Sequence, residues 1–166
     1  EARFGLYRLL ITWCDDLEIH GTVADRKPKL QEAVAIAKQR SHDNPRIAEA
    51  QRDLMISYNM LGDLLLQEGK GAEAHKAYDT GLAISRKLAE VDSHNAQVQR
   101  DLWVSYNKLG DLLRQEGKGA EARRAYEDGL AISLKLTLAD PHNAQAQRDL
   151  SISSERLGDL LRQEGK

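Results

Sequence analysis

The sequence is short of the residues that anchor most kinds of chemistry. Its 166 residues include one cysteine, Cys14, so an internal disulfide is impossible and no cysteine-based zinc motif can be assembled. Lysine and arginine together number 24 against 26 aspartates and glutamates, a net charge of −2, which leaves out the basic footprint of a general nucleic-acid binder. No apolar run approaches the roughly 20 residues of a membrane span, and no signal-peptide pattern opens the chain. These absences predict a cytoplasmic, reducing setting and a partner that is neither nucleic acid nor membrane. Glu1 stands where an initiator Met would, and Lys166 stops inside a repeated motif, so the chain is expected to be part of something longer. Nothing alternates with the period of two that marks a half-buried strand.

What the sequence has is repetition. Gln51-Arg52-Asp53-Leu54 returns as Gln99-Arg100-Asp101-Leu102 and as Gln147-Arg148-Asp149-Leu150, with a spacing of 48 both times. Residues 51–98 and 99–146 match at 34 of 48 positions, and 147–166 matches the preceding unit at 15 of 20, too many for coincidence. A degenerate unit, 3–50, precedes them in the same register: Leu30 to Ile36 aligns with the second half of the next unit, Asn44-Pro45 with the Asp92-Ser93 and Asp140-Pro141 turns, and Gly21 with Gly69. The chain therefore reads as one repeat domain of three units and half of a fourth.

Each unit predicts two helices. Leu102, Tyr106, Leu109, Gly110 and Leu113 form the stripe of an amphipathic helix. Gly117 and Gly119 supply the freedom of a helix C-terminus and turn. Ala122, Tyr126, Leu130, Ala131 and Ile132 mark a second helix, which Asp140-Pro141 ends because proline disfavours the helical state of the residue before it. Asn95 and Asn143 can cap the helices that follow. Short loops make neighbouring helices antiparallel. The expectation is seven helices, with breaks near 21–25, 43–46, 69–71, 92–95, 117–119 and 140–143. A helical hairpin alone cannot bury both faces, so copies stack and share a core. Gly110 lies on the packed face, where it costs about 1 kcal/mol against Ala; a close helix approach, with Ala122 as partner, accounts for it, and Gly110→Leu should cost roughly 1–3 kcal/mol or more. Leu61, Gly62, Ala74, Tyr78, Leu109, Gly110, Ala122 and Tyr126 are the expected inter-helix contacts, with Cys14 in the place of Gly62.

Through Tyr106, Leu109-Gly110, Ala122, Tyr126 and Pro141, and equally Tyr58, Leu61-Gly62, Ala74 and Tyr78, each unit resembles a tetratricopeptide repeat. The resemblance is specific from Gln51 onward. Two departures stand out: the period is 48 rather than 34, which asks for helices of roughly 18 to 20 residues, and Gly81 and Gly129 occupy positions where the family usually has Ala. The resemblance implies an all-α solenoid, a right-handed superhelix of antiparallel helix pairs. It also implies a scaffold that binds protein or extended peptide on a concave face lined by the first helix of each pair, without cofactor or catalysis.

On those first helices the side opposite the packed stripe carries Ile56, Asn59, Asp63 and Gln67, then Val104, Asn107, Asp111 and Gln115, then Ile152, Glu155, Asp159 and Gln163. A β-branched apolar residue three times on a nominally wet face suggests a contact, and asparagines, donor and acceptor at once, suit a peptide backbone. The competing reading is that Ile56, Val104 and Ile152 meet the lengthened second helices. The aspartates likewise read as a solvated row with weak Asp111–Arg114 and Asp159–Arg162 pairs. Positions that drift between units are Met55/Trp103/Ser151, Met60/Lys108/Arg156 and Leu66/Arg114/Arg162, so the face turns basic toward the C-terminus. Lys108, Arg114, Arg156 and Arg162 would then meet an acidic segment of a partner. Trp103 reads as core first and as a binding hot spot second.

His94 and His142 sit in Asp-x-His-Asn turns that capping explains, and Ser57, Ser105 and Ser153 have no base beside them, so neither set points to a metal or a nucleophile. A regulatory or assembly arm of a larger multidomain bacterial protein, and a purely structural module, remain as alternatives to peptide binding. The terminal Leu150, Leu157, Leu160 and Leu161 belong to a first helix with no second helix after it. Their exposure would invite end-to-end association through 147–166.

Overall fold

The seven expected helices are present. The computed structural model describes the backbone of residues 2–165 and the side chains of residues 4–16, 18 and 21–165. The elements are α1 (Ala2–His20), α2 (Val23–Asp43), α3 (Ala48–Gln67), α4 (Gly71–Val91), α5 (Ala96–Gln115), α6 (Gly119–Ala139) and α7 (Ala144–Gln163), with no strand among the described residues. Each is 19 to 21 residues long, as a period of 48 demands. None is long and apolar enough to cross a membrane.

Local chemistry sets the boundaries. Asn95 and Asn143 accept hydrogen bonds at their side-chain oxygens from the first free amides of α5 and α7, satisfying donors that no helical carbonyl can reach. Gly69 and Gly117 take φ of +73° and +74°. The amides after them close back on Leu65 and Leu113 at 2.8 and 2.9 Å, a Schellman ending that only glycine enters without steric cost. Gly119 does not share in that turn; it is the first residue of α6. The first break is shorter than expected, Gly21 and Thr22 alone, because Thr22 and Asp25 form a reciprocal capping box that starts α2 at Val23. Pro28 lies inside α2 at an exposed position and removes one helical hydrogen bond.

The chain divides into two compact units, Glu1–Ile84 and Ser85–Lys166. In the first, α2 packs on both α1 and α3. Tyr7, Leu10, Ala33 and Ala37 form one cluster; Cys14, Leu30, Val34 and Leu64 form another, edged by Met60 and Leu61. Burial pushes the Cys14 thiol up from its ordinary pKa. In the second unit α6 packs on α5 and α7, around Leu113, Ala122, Ala125, Tyr126 and Leu160, with Tyr106, Leu109 and Leu157 at the edge. Each large apolar side chain so buried contributes about 1.5–3 kcal/mol.

Of the expected contacts, Gly62, Ala74, Tyr78, Gly110, Ala122 and Tyr126 are buried, whereas Leu61 and Leu109 are half-buried at cluster edges. The close approach at Gly110 is real but its partner differs. A Cβ there would stand 2.6 Å from Cε1 of the Tyr126 ring, so the glycine accommodates an aromatic edge and not Ala122. The terminal leucines also depart from expectation. Leu160 is buried and Leu157 packs beside it against α6, while Leu150 and Leu161 are half-buried. Among the described residues the stripe turns toward the preceding second helix, with Leu150 and Leu161 keeping part of their surface exposed.

Candidate functional site

In the C-terminal unit the first helices α5 and α7 are joined directly by a ladder of polar contacts. At one end Arg100 Nε donates to Asp149 Oδ2 at 2.7 Å, and Gln145 Nε2 donates to Oδ1 at 2.8 Å. Asp149 is only 1% exposed, and a buried carboxylate is tolerable only when paired and hydrogen-bonded in this way. In the middle, Trp103 Nε1 donates to Ser153 Oγ at 2.7 Å, and Ser133 of α6 donates to the same oxygen at 3.1 Å. At the far end Arg156 grips Asp111 with Nε and Nη2 at 3.0 and 2.9 Å, a two-pronged pair, and its Nη1 reaches Asn107 Oδ1 at 3.4 Å. Arg100, Trp103, Asn107 and Asp111 recur at spacings that keep them on one side of α5.

Asp111 also accepts the Tyr126 hydroxyl at 2.7 Å. Burial, with the hydrogen bond to Asp111 and its charge added, holds the Tyr126 phenol well above its ordinary range. In the N-terminal unit Asp63 accepts Tyr78 in the same way at 2.6 Å. Asn107 turns inward, Nδ2 donating to Trp103 O at 2.8 Å, and Asn59 is equally buried. The unexpected glycines make room for them. A Cβ on Gly129 would stand 3.1 Å from Asn107 Nδ2, and one on Gly81 would stand 2.5 Å from Asn59 Oδ1.

The buried aspartate of the repeated Gln-Arg-Asp-Leu is served differently in the two units. Asp53 pairs with Arg40 of α2, whose guanidinium lies 4.3 Å from the centre of the Phe4 ring. Asp149 takes its arginine instead from the preceding first helix, as Arg100, and Leu136 stands at the place of Arg40. Positions 4 and 40 thus exchange Phe and Arg for the Arg and Leu of positions 100 and 136, and each aspartate keeps one guanidinium. The glutamine of the motif ties the helix to the turn before it, Gln51 to Pro45 O at 3.3 Å and Gln147 to Pro141 O at 2.6 Å. Sequence reading used this motif to measure the period and missed its role. The signal available was a charged pair repeated beside an apolar stripe.

These contacts revise the candidate face. Asn59 and Asn107, expected to be accessible, are each only 4% exposed, because both point into the corner where the second helix packs. Met60 lies at the edge of the core cluster around Leu64. Asp111 is not part of a solvated row with Arg114; it is committed to Tyr126 and Arg156. Arg156 is neutralised at home by that same pair and so is not held ready for an acidic partner. Asp63 is half-buried under Tyr78, and Arg114 is half-buried. Arg162 is exposed and pairs with Asp159. Trp103, 5% exposed, is core. Ile56, Val104, Ile152 and Lys108 are half-buried, neither covered by the second helices nor fully open, and Glu155 is exposed. His94 and His142 are exposed in the turns, where the His142 amide donates to Asp140 Oδ1 at 3.2 Å. Ser57, Ser105 and Ser153 are buried, each donating to the carbonyl four residues back in its helix.

Three comparisons with known proteins bear on this arrangement. A family model for the tetratricopeptide repeat matches residues 54–95 and 104–140. Among solved structures, the fold is similar to that of the yeast histone chaperone Hif1, described as a scaffold protein recruiting protein complexes to core histones. The identity is 14% and the TM-score 0.58, over 80% of this chain and 55% of that one. This chain therefore spans little more than half the length of that protein. No curated protein sequence matches this chain.

Proposed function

We propose that this chain, which carries tetratricopeptide repeats at residues 54–95 and 104–140, is a protein-binding scaffold that holds an extended segment of a partner against its first helices. One observation carries this reading. The ladder from Arg100·Asp149 to Asp111·Arg156 fixes α5 and α7 side by side, yet leaves Val104 and Ile152, at the same repeat position, half-exposed. Rigid elements presenting an unspent apolar position at a fixed spacing suit recognition, because little entropy is lost on binding. Lys108 and Glu155 flank this pair, and Ile56 occupies the same position in the N-terminal unit. The asparagines take no part, since their side chains are used inside.

A displayed library of extended peptides, selected against the whole chain, tests the reading. Val104→Ser and Ile152→Ser should each weaken a selected peptide about tenfold or more with an unchanged melting temperature. Peptides whose affinity ignores both substitutions, and whose chemical-shift footprint lies elsewhere, would refute it.

A further inference from the structure

The glutamine of the repeated Gln-Arg-Asp-Leu is satisfied twice and stranded once. Gln51 donates to Pro45 O at 3.3 Å and accepts from the Ser41 hydroxyl at 2.9 Å. Gln147 donates to Pro141 O at 2.6 Å. At Gln99 the residues in the places of Ser41 and Pro45 are Ala89 and Ser93, and alanine has no hydroxyl to give. The Gln99 side chain makes no hydrogen bond among the described residues, although the residue is only 8% exposed. A buried amide without a partner is unfavourable, and a ligand that completes it gains accordingly.

Gln99 lines a cleft of about 400 Å³ in the C-terminal unit, between the turn before α5, the end of α6 and the start of α7. Ala96, Leu136, Ala139 and Ala146 supply its apolar walls. Arg100 and Asp149 also line it, but they are spent on each other. In the N-terminal unit Arg40 reaches across to Asp53; Leu136, at the same position, carries no group that could do so. Lys135 stands on the rim, exposed and without an ion pair among the described residues. Asp140, an acid on the same rim, accepts the His142 amide.

We propose that this cleft is a site for a small amide-bearing carboxylic acid, of the N-acylamino acid class. The ligand's amide completes Gln99, its aliphatic part lies on Leu136, Ala139 and Ala146, and its carboxylate meets Lys135. The volume of about 400 Å³ falls within the roughly 300–1,000 Å³ of small-molecule sites, which share mostly apolar walls with a few converging polar groups. Neither Val104 nor Ile152 lines the cleft, so this site stands or falls apart from the protein-binding reading.

N-acetyl-leucine, titrated into the isotope-labelled whole chain, tests the site through the side-chain amide resonances of Gln99. Saturable shifts are expected, with affinity weakened about tenfold by Lys135→Gln in the protein or by a methyl ester on the ligand. Gln99→Leu should weaken binding to the same extent or more, read from the backbone amides of Ala139 and Ala146. Its melting temperature should be unchanged or raised, because the substitution removes a stranded amide and not a bonded one. No saturable shift, or equal affinity for the wild-type chain and both variants, overturns the proposal. So does equal binding of acetyl-Gly-Leu-Gly amide, in which peptide flanks the leucine on both sides, for the occupant would then be a partner's backbone.

Discussion

Two glycines at the same position of the repeat should respond oppositely to one methyl group. Replacing either Gly110 or Gly158 by alanine removes a helix-interior glycine, worth about 1 kcal/mol in stability. At Gly158 nothing opposes that gain. At Gly110 the new Cβ would stand 2.6 and 2.7 Å from Cε1 and Cδ1 of Tyr126, whereas carbon atoms settle at about 3.5–4.0 Å. The ring must retreat by roughly 1 Å, and its 2.7 Å hydrogen bond to Asp111 stretches with it. Overpacking of this kind costs about 1–3 kcal/mol, and loosening a hydrogen bond to a charged group adds about 1 kcal/mol or more. Gly110→Ala should therefore destabilise by about 1–3 kcal/mol while Gly158→Ala stabilises by up to about 1 kcal/mol. Urea unfolding followed by circular dichroism reads both, as opposite shifts of the midpoint at unchanged slope. If the two variants shift the midpoint in the same direction, the account of the glycine as a seat for the tyrosine ring is wrong.

Trp103→Phe should cost about 1–3 kcal/mol, since the smaller ring leaves part of the buried site unfilled and Ser153 loses the indole donor at 2.7 Å; a midpoint equal to wild type in the same urea assay would show the ladder to be energetically idle. Glu68 is held below the ordinary carboxylate range by hydrogen bonds from Lys27 and Lys70, at 2.7 and 2.8 Å. A depressed folded-state pKa means that its stabilising effect is present above the unfolded pKa and is lost as pH falls through the lower folded value. Melting temperatures recorded across the acid range should accordingly fall less steeply for Glu68→Gln than for wild type, and parallel curves would contradict the assignment.

Much of the architecture is written locally. The period of 48, the two-helix unit and nearly every break follow from residues acting within a few positions of themselves: Asn95 and Asn143 as caps, Gly69 and Gly117 as left-handed turns, Asp140-Pro141 as a stop. Such features are legible because a cap or a positive φ is decided by the adjacent backbone alone. Even the shortened first break has a local cause, the Thr22–Asp25 box, though it is visible only once the box is looked for.

The candidate face was far less legible, and the asparagines show why. A helical wheel assigns each helix one buried side, whereas α5 is met by α6 along one flank and by α7 along another. Asn107, placed on the wet side by the wheel, falls in the corner between those flanks, where Gly129 gives it room. Arg156 reads as a basic residue awaiting an acidic partner until Asp111, 45 residues away, is found at 2.9 Å. Charge, exposure and availability are pair properties of residues distant in the chain. The sequence by itself determined which segments are helices, where each one starts and stops, and which side of each is apolar. Only the packing of helix on helix decided which polar residues were consumed in holding the repeats together, and left the apolar Val104 and Ile152 half-exposed.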